Sequence, residues 1–147
     1  MSEAQIYRSI LVPIDLNAES SWRKSLPTAV ELAQSFGAEL HLVNVVPALG
    51  SGIVAGYLPE GFERQALAAA ETHFEGFARE HVPEGVPVSI HLAHGTIYRE
   101  ILRLAERQGC DLIVMASHRP ELADYLLGPN AERVVRHTNC SVLVVRE

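Results

Sequence analysis

Two short stretches, far apart in the chain, hold the residue types that can do chemistry. The first is Val12-Pro13-Ile14-Asp15. A proline there removes a backbone donor. The aspartate and nearby backbone groups can meet the edge of a base, or the carboxylate can cap the turn that follows. The second is residues 115–130, which read MASHRPELADYLLGPN. Ala116 and Ser117 are small enough for a ligand to approach the backbone closely. Gly128 and Pro129 suit an N-cap followed by proline at the first helical position. Pro129 has no N–H, but the amides of Asn130 and Ala131 stay free, and a helix start with free amides is a ready anion site. Arg119 can add a charge-assisted contact to a phosphate. His118 can touch the same ligand or bond the loop backbone. The whole stretch reads equally as a surface loop ending in a capped helix.

Several familiar signatures are missing. The chain has no G-x-x-x-x-G-K-[ST] and no G-x-G-x-x-G, which excludes an ordinary P-loop but not another nucleotide geometry. It has no G-x-S-x-G and no H-E-x-x-H. His41, His91 and His94 fall on strand patterns, and His73 and His81 on a helix, without a helical pair of ligands. They read as ordinary polar histidines rather than a metal site. Cys110 and Cys140 form no C-x-x-C and read as reduced, buried thiols.

The elements that must position these residues follow from periodicity. Apolar, β-branched runs occupy residues 9–15, 39–46, 87–94, 111–116 and 141–145. The last two are nearly continuous in apolar residues, as for strands covered on both faces, whereas 87–94 alternates as an edge strand does. Helical patterns lie between them. Residues 21–36 put Trp22, Leu26, Ala29, Ala33 and Phe36 on one stripe, and Trp22 is expected to cover it. Pro27 means that this helix either starts near Ser25 or is kinked, and Gly37 suits its C-cap. Residues 60–81 carry Leu67, Ala70, Phe74 and Phe77 on one face. Residues 96–108 carry Ile97, Ile101 and Leu104, with Thr96 as N-cap and Gly109 as stop. Residues 130–138 carry Ala131, Val134 and Val135. Strand and helix alternate, so the fold class is α/β with an open, doubly wound parallel sheet. Residues 47–59 and 117–128 read as long loops after the second and fourth strands. Ligands bind such sheets at the carboxyl ends of the strands.

Composition narrows the partners. One domain over residues 1–147 fits the length. The net charge of −6 and a single lysine, Lys24, argue against a grip on nucleic-acid backbone. No apolar run approaches the roughly 20 residues that span a bilayer, and residues 1–9 do not resemble a secretory signal. The expected location is cytoplasmic.

The same residues carry a family resemblance. The chain resembles the universal stress protein family nearly end to end. ILVPID at 10–15 is similar to the family's I-L-V-P-x-D, and residues 38–46 to its G-A-x-L-x-L-x-x-V. Gly95 matches the glycine before the family's third helix. CDLIVMASH at 110–118 resembles C-D-L-I-V-M-G-S-H, and LLGPNAERV at 126–134 resembles L-L-G-S-V-A-E-R-V. CSVLVV at 140–145 resembles C-P-V-L-V-V. Residues 117–120 with 125–128 are most like the F and G branch.

The resemblance implies a five-stranded parallel sheet in the order 3-2-1-4-5 with helices on both faces. It implies a homodimer joined through the last strand, a regulated protein partner that the sequence does not identify, and ATP with Mg²⁺ in the crevice. Pro13, Asp15 and Val45 would then hold the adenine. Met115 and Ala116 would lie by the ribose and phosphates, and Arg119, Gly128, Pro129 and Asn130 would surround the triphosphate. The family's nucleotide-binding pattern is G-x-x-G-x9-G-[ST]. Here Ala116 and Arg119 replace its first two glycines, the spacer is one residue shorter, and Pro129 stands at the hydroxyl position. Three functions compete: a nucleotide-dependent signalling module, a structural dimer that binds no nucleotide, and a slow ATPase or autophosphorylating enzyme. With no general base positioned by the sequence, the chain reads as a binding module rather than an enzyme.

Overall fold

The computed structural model describes residues 5–46, 62–117 and 128–146. Five strands form one sheet: β1 (Ser9–Pro13), β2 (Glu39–Val46), β3 (Val88–His94), β4 (Leu112–Ala116) and β5 (Ser141–Val145). Every pairing is parallel and the order is β3-β2-β1-β4-β5. The expected fold class and strand order are therefore observed, with β3 at one edge. Among the described residues four α-helices lie between the strands: α1 (Ser25–Phe36), α2 (Phe62–His81), α3 (Ile97–Arg107) and α4 (Pro129–His137). None of the described helices is long and apolar enough to cross a membrane.

Side chains alternate across each strand, so the sheet divides its apolar residues between two clusters. Ile10, Val12, Leu40, Leu42, Leu112 and Val114 face α1 and α2, meeting Leu26, Ala29 and Phe74. Leu11, Val43, Ile113 and Met115 face α3 and α4, meeting Ile101, Leu104, Ala131 and Val134. A central strand covered on both sides must be apolar throughout, which is why β4 reads as a continuous run; β5, expected to be covered likewise, is instead the other edge strand, with Leu143 exposed.

Pro27 resolves the first helix in favour of a start at Ser25. It occupies the first turn, where a missing N–H is best tolerated, and Leu26 and Thr28 donate on either side of it to the Trp22 and Lys24 carbonyls. Gly37 closes the helix at φ +69°, a left-handed cap that favours glycine, with the Ala38 N–H reaching the Ala33 carbonyl at 2.9 Å.

Three helical stripes are shifted from their expected faces. Leu67 is 53% exposed, whereas Phe74 and Ala78 of α2 are buried. A 20-residue helix is about 30 Å long, and strands of five to eight residues span only about 17–26 Å, so its early turns overshoot the sheet. On α3, Ala105 is buried in place of Ile97, and on α4 Val135 faces outward. Trp22 does not simply cover α1: it stands edge-on to Phe77 and His81 of α2, at 4.9 and 4.8 Å.

Candidate functional site

The sheet reverses its order between β1 and β4, and their carboxyl ends frame a crevice. On one wall β1 stops at Pro13, which lies opposite Val43, while β2 runs on through Asn44, Val45 and Val46. The tip of β2 therefore stands above the end of β1. The Ile14 N–H donates to the Val43 carbonyl at 2.7 Å and extends the pairing past the proline. Val45 is half-buried and packs toward the α3 side.

Asp15 is exposed at the lip of this wall. Its Oδ1 accepts the Asn17 N–H at 3.0 Å, which makes the side chain a cap for its own turn. Its N–H donates to Ser21 Oγ at 2.9 Å, and the Ser21 hydroxyl donates back to the Asp15 carbonyl at 3.1 Å. The turn uses one acceptor position of a carboxylate that offers about four. Capping and contact with a ligand are thus compatible.

The other wall is built from β4 and α4. Met115 is buried opposite Val144, and Ala116 is half-buried opposite Val145. Among the described residues no non-glycine has positive φ, so Ala116 stands where the family pattern has glycine without backbone strain. The chain leaves β4 at Ser117, whose N–H donates to the Val145 carbonyl at 3.0 Å. It returns at the buried Gly128, whose N–H donates to Ser117 Oγ at 2.9 Å. Ser117 thereby anchors to β5 through its backbone and to Gly128 through its side chain.

Gly128 is the N-cap of α4 and Pro129 its first residue, as the sequence predicts. The first helical hydrogen bond runs from the Glu132 N–H to the Gly128 carbonyl at 2.9 Å. The amides of Asn130 and Ala131 precede that bond and have no acceptor inside the helix. Asn130 is half-buried and Pro129 exposed. His118 and Arg119 lie outside the described residues.

A further cluster was not visible in the sequence. Tyr98, at the start of α3, accepts a hydrogen bond from Arg99 Nε at 3.1 Å, and the Arg133 guanidinium of α4 lies 5.0 Å from its ring centre. These bonds, Arg99's first, hold the Tyr98 hydroxyl below its ordinary pKa. Both helices begin at the carboxyl end of the sheet, so two guanidinium groups gather on that side. Only tertiary structure brings residues 98 and 133 together.

The histidines behave as polar groups with partners. His41 is 5% exposed, with Nδ1 2.9 Å from His91 Nε2 and Nε2 3.2 Å from Glu39 Oε1. Among the described residues no three His, Cys, Asp or Glu side chains converge as metal ligands.

The model of the universal stress protein family matches residues 6–146. The chain is 31% identical over 143 residues to universal stress protein G of Shigella flexneri, covering 96% of this chain and all of that protein. It is 30% identical over 151 residues to a universal stress protein of Methanocaldococcus jannaschii, covering 97% of this chain and 84% of the relative. The structure of hypothetical protein MJ0577 superposes with a TM-score of 0.72 at 26% identity, covering 97% of each chain. UspA from Lactobacillus plantarum superposes with a TM-score of 0.72 at 24% identity, covering 95% of this chain and 98% of the other. A universal stress protein solved in complex with cAMP has the same fold, with a TM-score of 0.62 at 21% identity, covering 95% of this chain and 97% of that one.

Proposed function

Because the chain belongs to the universal stress protein family, we propose that it is a cytoplasmic regulatory module that binds ATP in the crevice between β1 and β4. The observation that carries this reading is the Ser117–Gly128 bond, which holds the start of α4, with two amides preceding its ladder, at the mouth of the crevice. Amides at a helix start suit an anion, and the helix dipole adds to them. Pro13, Asp15 and Val45 line the wall that takes the adenine. Met115 and Ala116 lie under the ribose and phosphates. Gly128, Pro129 and Asn130 meet the triphosphate, with Arg119 and His118 reaching it from the connecting segment. The cAMP held by a protein of the same fold supports an adenine nucleotide as the ligand class.

The residues present suit the phosphates better than a metal of their own. Mg²⁺ would enter with the nucleotide, held chiefly by phosphate oxygens and water, with the Asp15 carboxylate nearby. The chain acts by binding rather than by turnover. It works as a homodimer joined through β5, and the nucleotide state alters its contact with a regulated protein. Isothermal titration of the full chain with ATP and Mg²⁺ is the direct test. Saturable heat is expected, and no heat at millimolar ATP would sink the reading.

A further inference from the structure

At the opposite end of the sheet, the amino ends of β4 and β5 enclose a surface hollow of about 510 Å³. Both cysteines of the chain line it, together with Glu106, Asp111 and His137. Neither thiol is needed by the crevice. Cys110 is buried beside the Ser9 hydroxyl, 3.5 Å from its sulfur, and Cys140 is half-buried. Both pack into the cluster between the sheet and α3 and α4.

The strand register sets their separation. Leu112 lies opposite Ser141, and the Ser141 N–H donates to the Asp111 carbonyl at 3.3 Å. This bond belongs to the first pair of the ladder, so Cys110 and Cys140 stand just before the paired ends of two neighbouring strands. Neighbouring strands lie about 4.8 Å apart, and both cysteines sit on the same side of the sheet, in the cluster under α3 and α4. A disulfide spans roughly 4.4–6.8 Å between Cα atoms.

We propose that Cys140 and Cys110 form a reversible redox pair, with Cys140 the thiol that meets a small disulfide in the hollow and Cys110 the thiol that resolves it. Thr138 supports the first role: its hydroxyl lies 3.1 Å from Cys140 Sγ, close enough to donate to a thiolate. Burial supports the second, because it pushes the Cys110 thiol up in pKa and keeps it protonated until a partner is beside it. In the first step the Cys140 thiolate attacks one sulfur of the small disulfide. Its S–S bond breaks, a mixed disulfide forms and one small thiolate departs. In the second step Cys110 loses its proton and attacks Cys140 Sγ. The mixed S–S bond breaks, the Cys110–Cys140 bond forms and the second small thiolate departs with that proton. Two protein thiols are oxidised, and the small disulfide is reduced to two thiols.

The test uses the full-length reduced chain in glutathione buffers of rising disulfide content, quenched in acid and read by intact mass and peptide mapping. Titratable thiols in the unfolded, quenched protein are expected to fall from two to none, with a peptide cross-linked between Cys110 and Cys140. Cys110→Ala should instead trap a glutathione adduct on Cys140, and Cys140→Ala should stay reduced. A stable glutathione adduct on the unmutated chain, disulfide-linked dimers, or two thiols that never react would each overturn the proposal. The cross-link in the unmutated chain decides the matter even if a variant fails to fold.

Discussion

Ser117 holds more of the crevice than its size suggests. Its hydroxyl oxygen accepts the only hydrogen bond described for the Gly128 N–H, at a buried position. A buried donor left unpaired costs about 1–3 kcal/mol. Ser117→Ala should therefore lower the melting temperature by several degrees and weaken ATP, whereas Ser117→Thr should keep the acceptor and most of both. Calorimetry and titration on the same samples check this, and equal ATP affinity in the alanine variant would count against the pinned-end reading. Arg119 lies outside the described residues. It replaces a pattern glycine, and its guanidinium can offset the donor and hydroxyl lost at Pro129. Arg119→Ala should weaken ATP by about 1–3 kcal/mol while leaving adenosine nearly unchanged, because a hydrogen bond to a charged group is worth about that much. Equal ATP affinity in both proteins would return that side chain to the surface. At this scale the sequence is legible where one residue carries its own meaning, as the Gly128-Pro129 helix start does. It is silent where meaning lies in a pair: no spacing rule joins Ser117 to Gly128 or Tyr98 to Arg133.

Among the elements, β5 is the one with unfinished business. The Ser141 N–H and Val145 carbonyl both point toward β4, so the main-chain groups of Val142 and Val144 point away from it, along the open edge. Leu143 is 38% exposed beside them. An edge of this kind invites a second strand, and a two-fold mate would satisfy it. Val144→Pro removes an outward donor while sparing the ladder to β4, so light scattering should show a dimer in the parent and a monomer in the variant. A parent that is monomeric at micromolar concentration would remove the interface. Strands were the most legible elements because burial on both faces leaves little choice but β-branched and aliphatic residues. Helical stripes were less so. Which turns of α2 are covered depends on where the sheet ends, and that length mismatch is written in no single segment.

For the molecule as a whole, acid is the informative stress. Burial, then the neighbouring His41 and then Arg107, lowers the His91 pKa below the ordinary 6.5. The folded state thus disfavours the proton that the unfolded chain accepts. His91's contribution to stability is complete above that value and is lost as pH falls below it. Melting temperature should drop between about pH 7 and pH 5, the range over which histidine charges, and His91→Gln should flatten part of that slope. An unchanged slope in the variant would assign the effect elsewhere. The bond between Ser117 and Gly128 has one more consequence, and it belongs to protein engineering. The bond ties Ser117 to Gly128, so the frame can serve as a socket for inserted sequence. Doubling the length of a flexible insert adds only about 0.6 kcal/mol of closure entropy. Replacing residues 118–127 with a longer Gly/Ser run should leave the melting temperature within a few degrees while abolishing whatever ligand preference those residues confer. A collapse of the fold on such a swap, seen by circular dichroism, would mean that the replaced residues are part of the frame.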